Sequence, residues 1–188
     1  FQRRYFDEGL QSKIAGAAIW NKFAKNCYIE KNCPTYINHS MILDLPESDG
    51  KEKMEIGLDY LTRAGSIVIA AAGNNSNNTQ NYPGAYNNSY CVANVDANNV
   101  KATSSSYGTW VDICAPGQNI YSTIPNSLTG TYGFKSGTSM ATPMVAGLAG
   151  LMLSTCSYMT PSDVLNCISN NAVNVYSIAA NSSYSVGN

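Results

Sequence analysis

Ile67-Val68-Ile69-Ala70-Ala71-Ala72-Gly73-Asn74 carries six apolar residues straight into a glycine and an amide. An apolar run of this kind, with no polar alternation, suits a strand buried on both faces of a parallel sheet. Ahead of it, Met54, Leu58 and Leu61 fall on one face of a helix, and Gly65 is placed to be its left-handed C-terminal residue. Farther upstream, Tyr36-Ile37-Asn38-His39-Ser40-Met41-Ile42 reads as a short strand, and the polar stretch from Pro46 to Gly50 turns the chain into that helix. Leu10, Ile14, Ala17, Ala18 and Phe23 predict one more helix, running through Lys25 and closed by Asn26. Strands alternating with helices point to an α/β fold with a parallel sheet.

Downstream of the central strand, Gly73 to Asn81 is an Asn-rich loop leaving the strand's C-terminal end, where open α/β sheets place their ligands. Shorter strands are predicted over Cys91–Val95, Val111–Cys114 and Ile120–Thr123, the last two separated by an Ala115-Pro116-Gly117 turn. From Thr138 to Leu153 the sequence is small and apolar almost all round, which predicts a helix buried in the middle of the fold. Thr160-Pro161-Ser162-Asp163 is a capping-box-like start with proline at the first helical position, and that helix runs through Val164, Leu165 and Ile168 towards Asn171. The Ser- and Asn-rich tail from Ala180 is expected to be loosely held.

The 188 residues supply one domain's core. Charged residues make up 12% of the chain, about half the usual ~25% share. A net charge of -1 gives no field to concentrate nucleic acid or an anionic membrane, so neither is an expected partner. The longest apolar run, Met144 to Leu153, is far short of the ~20 residues that span a bilayer. Phe1-Gln2-Arg3-Arg4 opens the chain without a methionine or a targeting stretch, and further sequence is expected ahead of it. Six cysteines include no CxxC pair, which argues against a cysteine metal site. Cys27 with Cys33, and Cys156 with Cys167, can close short disulfide loops in an oxidising, secreted setting; small buried thiols are the alternative.

Gly137-Thr138-Ser139-Met140-Ala141 puts a serine at the mouth of the buried helix, where backbone N–H groups and the positive dipole end can stabilise an oxyanion. Taken alone, a serine or threonine there is equally a helix cap. Asn74, just past the buried strand and behind Gly73, can donate its amide to the same oxyanion, or simply form an Asx-turn.

Together the order of Ile37-Asn38-His39-Ser40, Ile67 to Asn74, Tyr82-Pro83-Gly84, Ala115-Pro116-Gly117 and Gly137 to Gly147 resembles the C-terminal half of the subtilisin-like serine proteases. The resemblance extends over roughly Ile14 to Asn171. It implies a subtilisin-like three-layer α/β sandwich, with residues 1–188 forming only the C-terminal part of the peptidase domain. Ser139 takes the position of the nucleophile. Asn74 and the Ser139 backbone N–H take those of the oxyanion hole. Ser40, Met41, Ile42, Ala72, Gly73 and Asn81 take those of the substrate-binding walls, with Ile42 adding bulk where the family has glycine. The backbone carbonyls of Gly84 and Tyr86, at a turn that often carries a cis proline, are where the family can hold a structural calcium; an ordinary surface turn is the alternative.

In this family an Asp and then a His precede the Ser, and neither is matched here. The sole histidine, His39, stands where the family has an apolar residue and reads as a packed or edge-exposed ring. Met144 replaces a common, non-catalytic His. The implied activity is therefore endopeptidase action on a peptide or protein substrate, with His and Asp supplied by an N-terminal part of the same protease, covalent or as a separate chain. The alternatives are an inactive subtilase-fold scaffold and, within enzymes, acyl transfer to an amine. Asn38, Asn74, Asn77, Asn87 and Asn181 each open an Asn-x-Ser/Thr glycosylation pattern.

Overall fold

The computed structural model describes residues 36–39, 49–124 and 131–187. Strands β1 (Tyr36–His39), β2 (Ile67–Ala71), β3 (Tyr90–Val95) and β4 (Ile113–Pro116) form one sheet in the order β1-β2-β3-β4, every neighbour parallel. The register pairs Ile69 with Tyr90, Ala71 with Val92, and Val92 with Ile113, so these side chains share a face. Against that face lie Ala141, Val145, Ala146 and Ala149 of α2 (Thr138–Thr155) and Val164 and Ile168 of α3 (Pro161–Asn170). Small residues on α2 let it touch all four strands. Ala72, Cys91 and Ala93 pack on the opposite face with Val111, Val175 and Val186. Each large aliphatic side chain buried this way contributes about 1.5–3 kcal/mol.

Helix α1 (Asp49–Arg63) packs on β2, and its Met54, Leu58 and Leu61 are buried. Gly65 ends it at φ +87°, with Gly65 N–H donating to Thr62 O and Ser66 N–H to Leu61 O. Those two bonds satisfy carbonyls that the helix end would otherwise leave unpaired. Helix α3 has the predicted capping box: Thr160 Oγ1 accepts the Asp163 N–H at 3.2 Å, and Asp163 Oδ2 accepts the Thr160 N–H at 2.9 Å.

Four expectations need correction. The strand predicted over Val111–Cys114 lies instead at Ile113–Pro116, because Ala115 and Pro116 pair with Asn94 and Val95 and only Gly117 leaves the ladder. Proline is tolerated there because, among the described strands, β4 pairs only with β3. The helix read as buried all round is buried on its sheet side alone, with Met144, Leu148 and Leu151 exposed along the other. The tail from Ala180 is docked, not loose: Asn181 and Val186 are fully buried, and Tyr184 packs edge-on against Tyr107. Cys156 and Cys167 are free thiols. Their elements hold them to other partners: Cys156 closes α2 with its N–H on Met152 O, and the Cys167 thiol accepts from Asn171 Nδ2 one turn on. Cys27 and Cys33 lie outside the described residues, as does the helix predicted through Lys25.

Sequence reading missed β6 (Tyr132–Lys135), which pairs antiparallel with β5 (Ile120–Thr123) and leads directly into α2. Among the described residues no helix is long and apolar enough to cross a membrane.

Candidate active site

β2 delivers Ala72, Gly73 and Asn74 to its C-terminal end, and Gly73 turns the chain there at φ +104°. Asn74 Oδ1 then accepts two hydrogen bonds from Thr138, one from its N–H at 3.0 Å and one from its hydroxyl at 3.3 Å. The same hydroxyl accepts the Gly73 N–H at 3.2 Å. Thr138 is fully buried, so its bond to Gly73 is shielded from water, while the two to the exposed Asn74 are partly so, and the clasp joins residues far apart in sequence. With Oδ1 committed, the NH₂ end of Asn74 is the part of the exposed side chain left to face a ligand.

Ser139 follows Thr138 as the second residue of α2 and is half-buried. It therefore sits in the first helical turn, where N–H groups point outward and the dipole favours negative charge. Gly137 caps the helix with no side chain of its own, at φ +149°. A Cβ there would come within 3.4 Å of Asn74 Oδ1 in a conformation that L residues rarely adopt. Gly137 N–H donates to Gly117 O at 2.8 Å, which ties the turn to the end of β4. The Thr142 hydroxyl donates to Thr138 O at 2.8 Å and holds the first turn from within.

Asn81 comes back to this strand end. Its Nδ2 donates to Ala72 O at 2.9 Å, with longer contacts to Thr79 O and Ser106 Oγ. Ala72, Gly73, Asn74 and Asn81 are thus brought together, while Ser40, Met41 and Ile42 lie outside the described residues. Ser106 anchors the loop on its other side: its N–H donates to Gly73 O at 2.8 Å and its hydroxyl accepts the Asn75 N–H at 3.2 Å. The supporting roles of Thr138 and Ser106 were not foreseen. The hydroxyl run Ser104-Ser105-Ser106 was the only sequence signal for the second.

The Tyr82–Pro83 bond is cis. Gly84 is packed so closely that a Cβ would lie 3.0 Å from both Ala71 O and Cys91 Sγ. Tyr86 O already accepts the Ser89 N–H at 3.0 Å, and burial next to Glu55 pushes the Tyr86 phenol up from its ordinary pKa. Among the described residues no group of three or more His, Cys, Asp or Glu side chains could hold a metal. His39 closes β1 opposite Ala70. A groove of ≈ 440 Å³, lined in part by Pro116, Leu148, Met152 and Val173, runs along the outer edge of β4, so concavity alone would not lead to Ser139.

The sequence profile of the subtilase family matches residues 11–187. The chain belongs to the subtilase family. Thermitase from Thermoactinomyces vulgaris is 48% identical over 112 residues, covering 60% of this chain and 39% of thermitase. Subtilisin DY from Bacillus licheniformis is 38% identical over 137 residues, covering 71% of this chain and 49% of that protein. The chain thus spans about half, or less, of the length of these relatives. Among solved structures, the self-cleaved protease domain of PatA superposes with a TM-score of 0.73 at 25% identity, covering 90% of this chain and 63% of that one. The prenylagaramide maturation protease PagA gives 0.70 at 25% identity, covering 84% and 58%. The fold of this subtilase chain is subtilisin-like, as the order of its motifs implied.

Proposed function

We propose that this chain is the nucleophile-bearing part of a subtilisin-type serine endopeptidase. The observation that carries the reading is the Thr138 clasp, which holds the Asn74 amide beside the helix turn that presents Ser139. Ser139 Oγ attacks the peptide carbonyl carbon, and the tetrahedral oxyanion is held by Asn74 Nδ2 and the Ser139 N–H. Ala72, Gly73 and Asn81, with Ser40, Met41 and Ile42, bind the peptide next to the scissile bond. A histidine takes the Ser139 proton and returns it to the leaving amine, oriented by an aspartate.

That His and Asp come from an N-terminal part of the protease, covalent or separate. Two features support such a partner. Among the described strands β1 pairs only with β2, which leaves its other edge for a further strand. Met144, Leu148 and Leu151, at i, i+4 and i+7, expose an apolar stripe on α2 that a covering element would bury. Secretion is proposed on the charge-poor composition, with no support from Cys156 and Cys167. The chemistry itself calls for no cofactor. A structural calcium on the Gly84 and Tyr86 carbonyls would need its remaining oxygens from elsewhere, since calcium takes about 6–8 and Tyr86 O is already engaged.

Fluorophosphonate labelling of the natively purified protein, with peptide mapping and intact masses of every chain present, tests the reading. Label on Ser139, abolished by Ser139→Ala, is the expected result. A folded protein with an upstream partner present and no label would sink it and leave the scaffold alternative. Product mass with an added amine separates hydrolysis from acyl transfer.

A further inference from the structure

Asn94 is fully buried on β3, yet neither polar atom of its side chain has a hydrogen-bond partner among the described residues. Its backbone is satisfied, the N–H by Ser105 Oγ at 3.0 Å and the carbonyl by Ala102 N–H at 2.9 Å. The unpaired amide is therefore a property of the side chain alone. Asn94 pairs with Ala115 and so shares the face that carries Ile69, Tyr90, Val92 and Ile113 against α2. An aliphatic residue would be the low-energy choice in that row. A buried amide left without a partner instead calls for a reason outside stability.

Its surroundings supply one. A Cβ built on Gly117 would lie 2.5 Å from Asn94 Oδ1 and 2.6 Å from the Gly137 carbonyl oxygen. The Asn94 amide, the Gly117 backbone and the Gly137 carbonyl therefore meet at one point beneath the turn that leads to Ser139. The Gly137 carbonyl and the Thr138 N–H belong to one rigid peptide plane and point in opposite directions. Thr138 N–H is the donor to Asn74 Oδ1. One asparagine thus packs near the carbonyl end of this peptide, and the other is bonded to its N–H end. The Gly137 carbonyl accepts the Met140 N–H at 2.9 Å and the Ala141 N–H at 3.3 Å, so the first turn of α2 holds that end of the plane, and Gly137 itself, at φ +149° and without a side chain, adds no steric hold.

We propose that Asn94 is a positioning residue for the reaction at Ser139: packed under the Gly117–Gly137 turn, its amide backs the Gly137–Thr138 peptide that the first turn of α2 holds by its carbonyl, and so helps set the aim of Asn74. The inference rests on the endopeptidase reading for its catalytic consequence, but not for the backing itself.

The test uses Asn94→Ala, and Asn94→Val to refill the space without an amide, in the complete active protein. Expected for both are an unchanged or raised Tm, KM within about twofold, and kcat lowered about tenfold, the scale of a sub-ångström misplacement. Hydrogen exchange should quicken in the peptide spanning Gly137 to Met140 and nowhere else. A merely structural role would lower Tm and loosen the whole core together. Wild-type kcat in both variants, or exchange unchanged at Thr138, would overturn the proposal. Should the wild-type protein fail to acylate at Ser139, the endopeptidase reading falls separately, and the local exchange still decides whether Asn94 holds the turn.

Discussion

Asn74 and Thr138 are joined twice, with Asn74 Oδ1 taking both the N–H and the hydroxyl of Thr138. The side chain proposed to stabilise an oxyanion is thereby oriented by the residue next to Ser139, and the two cannot drift apart without breaking both bonds.

Thr138→Val keeps the shape but removes the hydroxyl that serves both Asn74 and Gly73. Leaving the Gly73 N–H unpaired in a buried site costs about 1–3 kcal/mol, which thermal or urea unfolding would register. Asn74→Ala removes the donated amide and also the acceptor of the Thr138 N–H, so it should cost stability as well as rate. A loss on the order of 10²–10³ in kcat with little change in KM is expected, a range carried over from removal of the oxyanion asparagine in subtilisin, a member of this family. Steady-state kinetics on a peptide substrate checks it, and an equal loss in KM would point to ground-state binding instead.

Gly117→Ala tests the crowding under the nucleophile turn. Its Cβ would sit 2.5 Å from Asn94 Oδ1 and 2.6 Å from Gly137 O, and one of those is backbone that cannot step aside cheaply. Destabilisation of about 1–3 kcal/mol is expected, together with slower fluorophosphonate labelling of Ser139. Gly147→Ala is the control, because nothing lies within 4 Å of a Cβ there. It should raise stability slightly through helix propensity.

The order of elements was readable because each rests on local chemistry. Six apolar residues from Ile67 dictate a buried strand, Gly65 dictates a left-handed helix end, and Thr160 with Asp163 dictates a cap. The hairpin strand β6 escaped because Tyr132-Gly133-Phe134-Lys135 is only four residues long with a glycine inside, too short and broken a pattern to mark a strand. The docked tail escaped for a different reason: Asn181 is polar in sequence but buried in the fold, its burial made tolerable by partners about 80 residues away. Ser139 and Asn74 were legible as motif positions. Thr138's clasp and Asn94's unpaired amide were not, because both are relations between segments and no spacing encodes them.

Alkaline pH should loosen the fold through groups whose ionisation burial opposes. Desolvation pushes the Cys114 thiol up to about 11, and Cys91 and Tyr90 are displaced in the same direction. For an acid whose folded pKa is raised, the unfolded chain loses its proton first. Stability is therefore unaffected well below the ordinary thiol value of 9.0 and falls as pH rises from there towards 11. Cys114→Val should flatten part of that decline. Denaturant midpoints measured at several values across this interval read it directly, and an unchanged slope in the variant would assign the decline to other groups.

Asn181 offers the sharpest stability test because every polar atom of its side chain is used. Oδ1 accepts the Lys101 N–H at 2.8 Å, and Nδ2 donates to Asn99 O at 2.8 Å and Val175 O at 3.0 Å. These bonds pin the tail to the connection after β3, where the Lys101 ammonium also lies over the Tyr184 and Tyr107 rings. Asn181→Ala would orphan the buried Val175 carbonyl together with the partly buried Lys101 N–H and Asn99 carbonyl, at about 1–3 kcal/mol for each group that water cannot reach. Hydrogen exchange should rise across Val175 to Val186 and around Asn99 to Ala102, while α2 and its Ser139 turn stay protected. Asn181 also opens a glycosylation pattern, and a glycan on its Nδ2 would replace one of the two hydrogens it donates and would have no room at this fully buried side chain. Folded protein should therefore be bare at Asn181, which peptide mass mapping checks, and a modified Asn181 in the native, protected state would contradict the docking of this tail.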